Sequence, residues 1–179
     1  MSGFRRIIAG VSGSPGCLPA LRCAADMARR HDATLIPVLA WVPPGGEFAE
    51  RSSPSSPYQR QLCGNAAGQW LRDALDTAFG GTPADLRTEP LVRRGEPGRV
   101  LVSMACEPDD LLVIGRGRRA LSGRLLHRGV SHYCLARASC PVLAVPPSAL
   151  EQEAGHGLRG WAFRHRGLRP DRISSPASG

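Results

Sequence analysis

The chain has 179 residues, 42% hydrophobic and 5% aromatic, enough for one domain with a real core, and lacks the run of ~18 apolar residues that a membrane span needs. Fifteen acidic residues stand against 23 basic ones, a net charge of +8, and every basic residue is arginine. Without lysine there is no Walker-type phosphate lysine, no Schiff-base lysine and no kinase lysine.

Arg5 to Val11 (RRIIAGV) is a compact apolar run that ends in GVSGSPG, the pattern of a buried strand and a tight turn. Leu18, Leu21, Ala25 and Ala28 recur at helical spacing and predict a first helix ending near His31. Thr34 to Val42 is a second strand, stopped by Pro43 and Pro44. Gly45 to Pro57 is rich in Gly, Ser and Pro and is expected to be a mobile loop. Ala67, Trp70, Leu71, Ala74, Leu75 and Ala78 form the stripe of a second helix from about Tyr58 to Phe79.

Leu86 to Val92 is a weaker third strand. Pro97 suits the first turn of a third helix, with Val100, Leu101 and Met104 as its buried positions. Leu111 to Gly115 is a fourth strand without a polar face, as when both sheet faces are covered. Asp109 and Asp110, at its amino end, are expected to be a solvated turn or a helix-cap pair. After a Gly/Arg loop come a helix from about Gly129 to Ala138 and a fifth strand, Pro141 to Val145. This alternation of strand and helix predicts an α/β fold, a parallel sheet with helices on both faces.

The six cysteines contain no CxxC pair and are expected to be reduced. The amino terminus lacks a cleavable signal pattern, which points to a cytoplasmic protein. Residues 1–147 form the expected domain. The basic tail, 148–179, has no apolar period and is expected to be disordered.

Enzyme motifs fail on inspection. Gly10-Val-Ser-Gly-Ser14 misses the nucleophile elbow by its last residue. The glycines at 10, 13 and 16 do not make a dinucleotide fingerprint, and Trp41-Val42-Pro43 offers no acid for a ribose. His127 and His132 are five residues apart, poor spacing for a metal pair on one helix. No catalytic residue and no metal ligand emerges.

Three stretches narrow the reading. IIAGVSGSPGCLPALRCAADMARRHDATLIPVLAWVPP resembles the opening of universal stress protein domains. RRGEPGRVLVSMACEPDDLLVIGRGRR and VSHYCLARASCPVLAVP resemble their third helix to fourth strand and their closing helix and strand. The resemblance implies a five-stranded sheet in the order 3-2-1-4-5, Rossmann-like, in a homodimer joined through Pro141 to Val145. It also implies an adenine-nucleotide site, for ATP or AMP, at the carboxyl ends of the strands.

The family's nucleotide binders carry an acid after the first strand. Their loop after the fourth strand runs Gly, two residues, Gly, nine residues, Gly, then Ser or Thr. Here the acid position is Ser12, the glycine positions are Gly115, Arg118 and Arg128, and the Ser/Thr position is Gly129. Gly10, Ala40, Val130 and Ser131 complete the implied set. Arginine at two glycine positions should narrow the pocket, or give phosphate contacts of its own. Arg116, Arg118, Arg119, Arg124 and Arg128 also make this loop a candidate anion site.

The function these residues imply is a non-catalytic, cytoplasmic stress-response or regulatory homodimer with a degenerate adenine-nucleotide site. The alternatives are an ATP or AMP sensor of the same fold, a slow ATPase, and a binder of nucleic acid or another polyanion through the arginine loop.

Overall fold

Five parallel strands carry the chain: β1 (Arg6–Val11), β2 (Thr34–Trp41), β3 (Leu91–Arg94), β4 (Asp110–Gly115) and β5 (Val142–Val145). They lie in the order β3-β2-β1-β4-β5, as the resemblance implied. The computed structural model describes residues 3–12, 15–44, 46–116 and 129–147. Between the strands run α1 (Leu18–His31), α2 (Gly46–Ser52), α3 (Pro57–Phe79), α4 (Pro97–Met104) and α5 (Val130–Arg137), with a 3-10 turn at Pro15–Cys17.

Strand alternation builds two cores. Ile7, Ala9, Val11, Leu35, Leu39, Leu111 and Val113 pack against α1 and α3, while Ile8, Ile36, Val38, Leu112 and Ile114 pack with Leu101, Ala105, Cys134 and Cys140. The central strands are therefore apolar on both sides, as a sheet covered on both faces requires. On α1 the buried residues Ala20, Ala24, Ala25 and Ala28 let the helix approach the sheet around Leu21, which is wholly buried. Burying that one leucine is worth about 1.5–3 kcal/mol. On the other face, a side chain at Gly98 would stand 2.7 Å from the Tyr133 ring. This glycine sets the close crossing of α4 and α5.

Three expectations are corrected. The stretch from Gly45 to Pro57 contains a helix, α2, with Glu47 in its first turn and Arg51 in its last, placements that favour the helix dipole. The third strand starts later than expected, at Leu91. Pro90 has no N–H to give a ladder, so only Thr88 bridges to Leu35 before it. Asp110 is not solvated: it is buried at the amino end of β4 and takes bonds of 2.7 Å from both Arg6 Nε and Arg6 Nη2.

All six cysteines are free thiols, and burial pushes the Cys134 thiol up to about 11. Among the described residues, no helix is long and apolar enough to cross a membrane. The tail from 148 to 179 lies outside the described residues.

Candidate functional site

The chain leaves β1 towards α1 on one face, while the route after β4 returns through α5 on the other. The two strands are neighbours, so their carboxyl ends form the switch point where open parallel sheets leave a crevice.

At that edge, a side chain on Gly115 would place its Cβ 2.6 Å from the Gly16 carbonyl oxygen. No side chain fits there, so glycine lets the end of β4 lie directly against the turn after β1. Cys17, buried beneath that turn, donates from Sγ to the Ser12 carbonyl at 3.1 Å. Ser12 itself is exposed. Ser131, in the first turn of α5, donates from Oγ to the Gly115 carbonyl at 2.8 Å. The Arg116 N–H donates to the Val145 carbonyl at 2.8 Å, and the Arg116 side chain is exposed.

Ser12, Gly115, Arg116 and Ser131 thus gather at one edge. Gly129 and Val130 begin α5 beside them. Gly129 is the N-cap, and among the described residues no side chain caps the helix and nothing stands within 4 Å of where its Cβ would be. Backbone N–H groups at such a helix start favour an anion. Two further candidates sit differently. Gly10 lies within β1, where a side chain would meet Leu101 at 3.0 Å and Ile114 at 3.2 Å. Ala40 lies near the end of β2, paired with Arg93 on one side and separated from β4 by β1 on the other. Arg118, Arg119, Arg124 and Arg128 lie outside the described residues.

No sequence motif marked Gly16 or Cys17 as part of this edge. The signal was their place in the tight turn between β1 and α1, where backbone crowding selects small residues. Also missed was the frame around Arg94. Its Nε and Nη2 donate to the Glu47 carboxylate at 3.2 and 3.1 Å, and Nη2 lies 3.7 Å from Glu50. Glu50 is buried and accepts from Ser55 N at 3.0 Å and Ser55 Oγ at 2.6 Å. Those Ser55 bonds, aided by Arg60 and Arg94, hold its carboxyl below the usual carboxylate range. Among the described residues, no group of three or more His, Cys, Asp or Glu could hold a metal ion.

Among the described residues, a single parallel sheet covered on both faces, with a glycine-shaped edge at its switch point, defines a doubly wound α/β domain. The family model of the universal stress protein family matches residues 3–146, and the chain belongs to that family. No curated protein matches it. Among solved structures, a universal stress protein in complex with cAMP is 28% identical, with a TM-score of 0.58 over 82% of this chain and 100% of that one. Universal stress protein UspA from Lactobacillus plantarum is 17% identical, with a TM-score of 0.56 over 83% of this chain and 100% of that one. A universal stress protein from Archaeoglobus fulgidus is 21% identical, with a TM-score of 0.50 over 79% and 98%. The last two likenesses concern the fold.

Proposed function

We propose that the protein is a non-catalytic regulatory member of its family that binds an adenine mononucleotide, such as cAMP or AMP, at the carboxyl edge of β1 and β4. The observation that carries this reading is the Gly115 crossing. Glycine-only backbone lies against the Gly16 turn there, tied to the start of α5 by Ser131. The solved relative at 28% identity that holds cAMP supports it.

Two departures argue against ATP as the preferred ligand. Arg118 and Arg128 stand at two positions where the family's ATP loops use glycine to bring backbone against a triphosphate, and Ser12 replaces the acid. A ligand with one phosphate asks less of that loop. With no base or Mg²⁺ ligand in the motif, the reading is binding rather than hydrolysis.

The same reading includes a cytoplasmic homodimer through Pro141 to Val145. β5 is an edge strand, half-buried along its whole length and without a charged residue, and such an edge invites pairing. Nucleotide retained by the purified protein, identified by mass spectrometry, tests the first part. Adenine mononucleotide is expected. Protein free of nucleotide that gains no thermal stability from added cAMP or AMP would return the reading to a degenerate site that acts through protein contacts. Light scattering tests the second part, with a dimer expected and a monomer contradicting it.

A further inference from the structure

On the β3 side of the carboxyl edge, a depression of about 670 Å³ lies between α2 and α4. A smaller one, about 200 Å³, reaches from α4 to Val130 and Tyr133 at the start of α5. Glu96 and Arg99 line both, so the two join in a trough. The larger depression is open to solvent, with room for a small anion between its two helical walls.

The charges in this trough are unevenly matched. Arg94 is spent on Glu47 and Glu50. Arg51 from α2 and Arg99 from α4 line the larger depression from its two helical walls. Both are exposed, and neither has an ion pair or hydrogen bond among the described residues. Among the described residues, Glu96 is the one lining carboxylate not engaged by Arg94. The walls therefore carry an excess of guanidinium over carboxylate. They are also held in place beforehand. Arg94 ties α2 to the end of β3, and Glu50 ties it through Ser55 and Arg60 to the start of α3. A frame fixed before binding saves the ordering cost that a loop would incur. Guanidinium forks suit the oxygens of a phosphate group.

We propose that this trough is a second binding site, for a phosphate-bearing small molecule whose phosphate is held by Arg51 and Arg99 from opposite walls. It uses none of Ser12, Gly115 and Ser131 and shares only Val130, at its far end, with the nucleotide candidates; it does not rest on the adenine-nucleotide reading.

Inorganic pyrophosphate is the probe, titrated into the full chain while backbone amide shifts are followed by NMR. Saturable shifts are expected at Gly95, Arg99 and Ser103. Arg51→Ala and Arg99→Ala should each weaken binding about tenfold, the size of one charge-assisted hydrogen bond. Glu96→Gln should tighten it, and added salt should weaken it. Both arginines are exposed and have no ion pair among the described residues, so an unchanged melting midpoint is expected to accompany the loss. Shifts confined to Gly115 and Ser131, shifts that survive both alanine substitutions, or no shift at all would overturn the proposal. A protein that binds pyrophosphate here yet ignores cAMP would keep this site and lose the nucleotide reading.

Discussion

Arg6 and Asp110 face each other across β1 and β4, with both guanidinium-to-carboxylate bonds at 2.7 Å, at the amino end of the sheet and away from the ligand edge. Asp110 also accepts from the Glu107 N–H at 2.9 Å, and Arg6 donates to the Met104 carbonyl at 3.2 Å. Side-chain exposure is 35% for Arg6 and 1% for Asp110. The pair pins the turn between α4 and β4 to the first strand.

Asp110→Ala is expected to destabilise the fold by about 2 kcal/mol. That is below the ~3–5 kcal/mol of a fully buried pair broken on one side, because the partly exposed Arg6 recovers water. Urea unfolding measures it, and a loss within experimental error would show that the pair holds nothing in place.

The same pair gives an acid dependence. Burial pushes the Asp110 carboxyl up, but the Arg6 bond and the backbone N–H groups of Glu107 and Cys106 outweigh it and hold the group below its ordinary value. A lowered folded pKa gives stability that is fully present above the unfolded value of about 3.9 and is lost as pH falls through the folded one. Melting curves from pH 6 downwards should therefore fall less steeply for Asp110→Asn than for the native chain. Parallel curves would contradict this.

At the crossing of α4 and α5, Gly98→Ala would place a methyl 2.7 Å from Tyr133 Cδ1 and 3.1 Å from its Cβ. The Cβ is tied to the helix backbone and yields little. The overpacking should cost about 1–3 kcal/mol, more than the ~1 kcal/mol that alanine gains over glycine in a helix. Tyr133→Leu combined with Gly98→Ala should recover part of the loss. A more stable Gly98→Ala protein would show that the helices can part freely.

Arg94→Ala should loosen α2 without unfolding the sheet, since Arg94 reaches α2 through Glu47 and Glu50. Limited proteolysis should then cut between residues 45 and 57 faster than in the native chain, while cleavage within the sheet stays slow. Equal cutting rates would mean that the ion pairs do not hold α2.

The sheet was legible because its signals are local and redundant. Runs such as LLVIG can be buried only on both faces, and the stripe from Ala67 to Ala78 has one period. What was hidden depends on partners far apart in sequence. Asp110 resembled a solvent-facing turn residue until Arg6, 104 positions away, was beside it. The helix α2 was masked by its composition, and only Glu47 early and Arg51 late hinted at it. The capping box of Ser56 and Gln59 that starts α3 lies at the end of the same stretch, and its loop-like composition hid it as well. At the site, spacing found Gly115 and Ser131. Their bond, and the approach of Gly16, needed the tertiary crossing.

Calorimetric titration of cAMP and ATP into the native chain, Gly115→Ala and Gly129→Ala tests the central claim most directly. The methyl of Gly115→Ala would press on the Gly16 carbonyl, whereas a methyl on Gly129 would meet nothing within 4 Å among the described residues and its backbone angles are ordinary. The account predicts saturable heat for cAMP, weaker binding for ATP, a loss of both in Gly115→Ala, and cAMP binding kept in Gly129→Ala. No heat with cAMP, ATP binding tighter than cAMP, or undiminished binding in Gly115→Ala would contradict it.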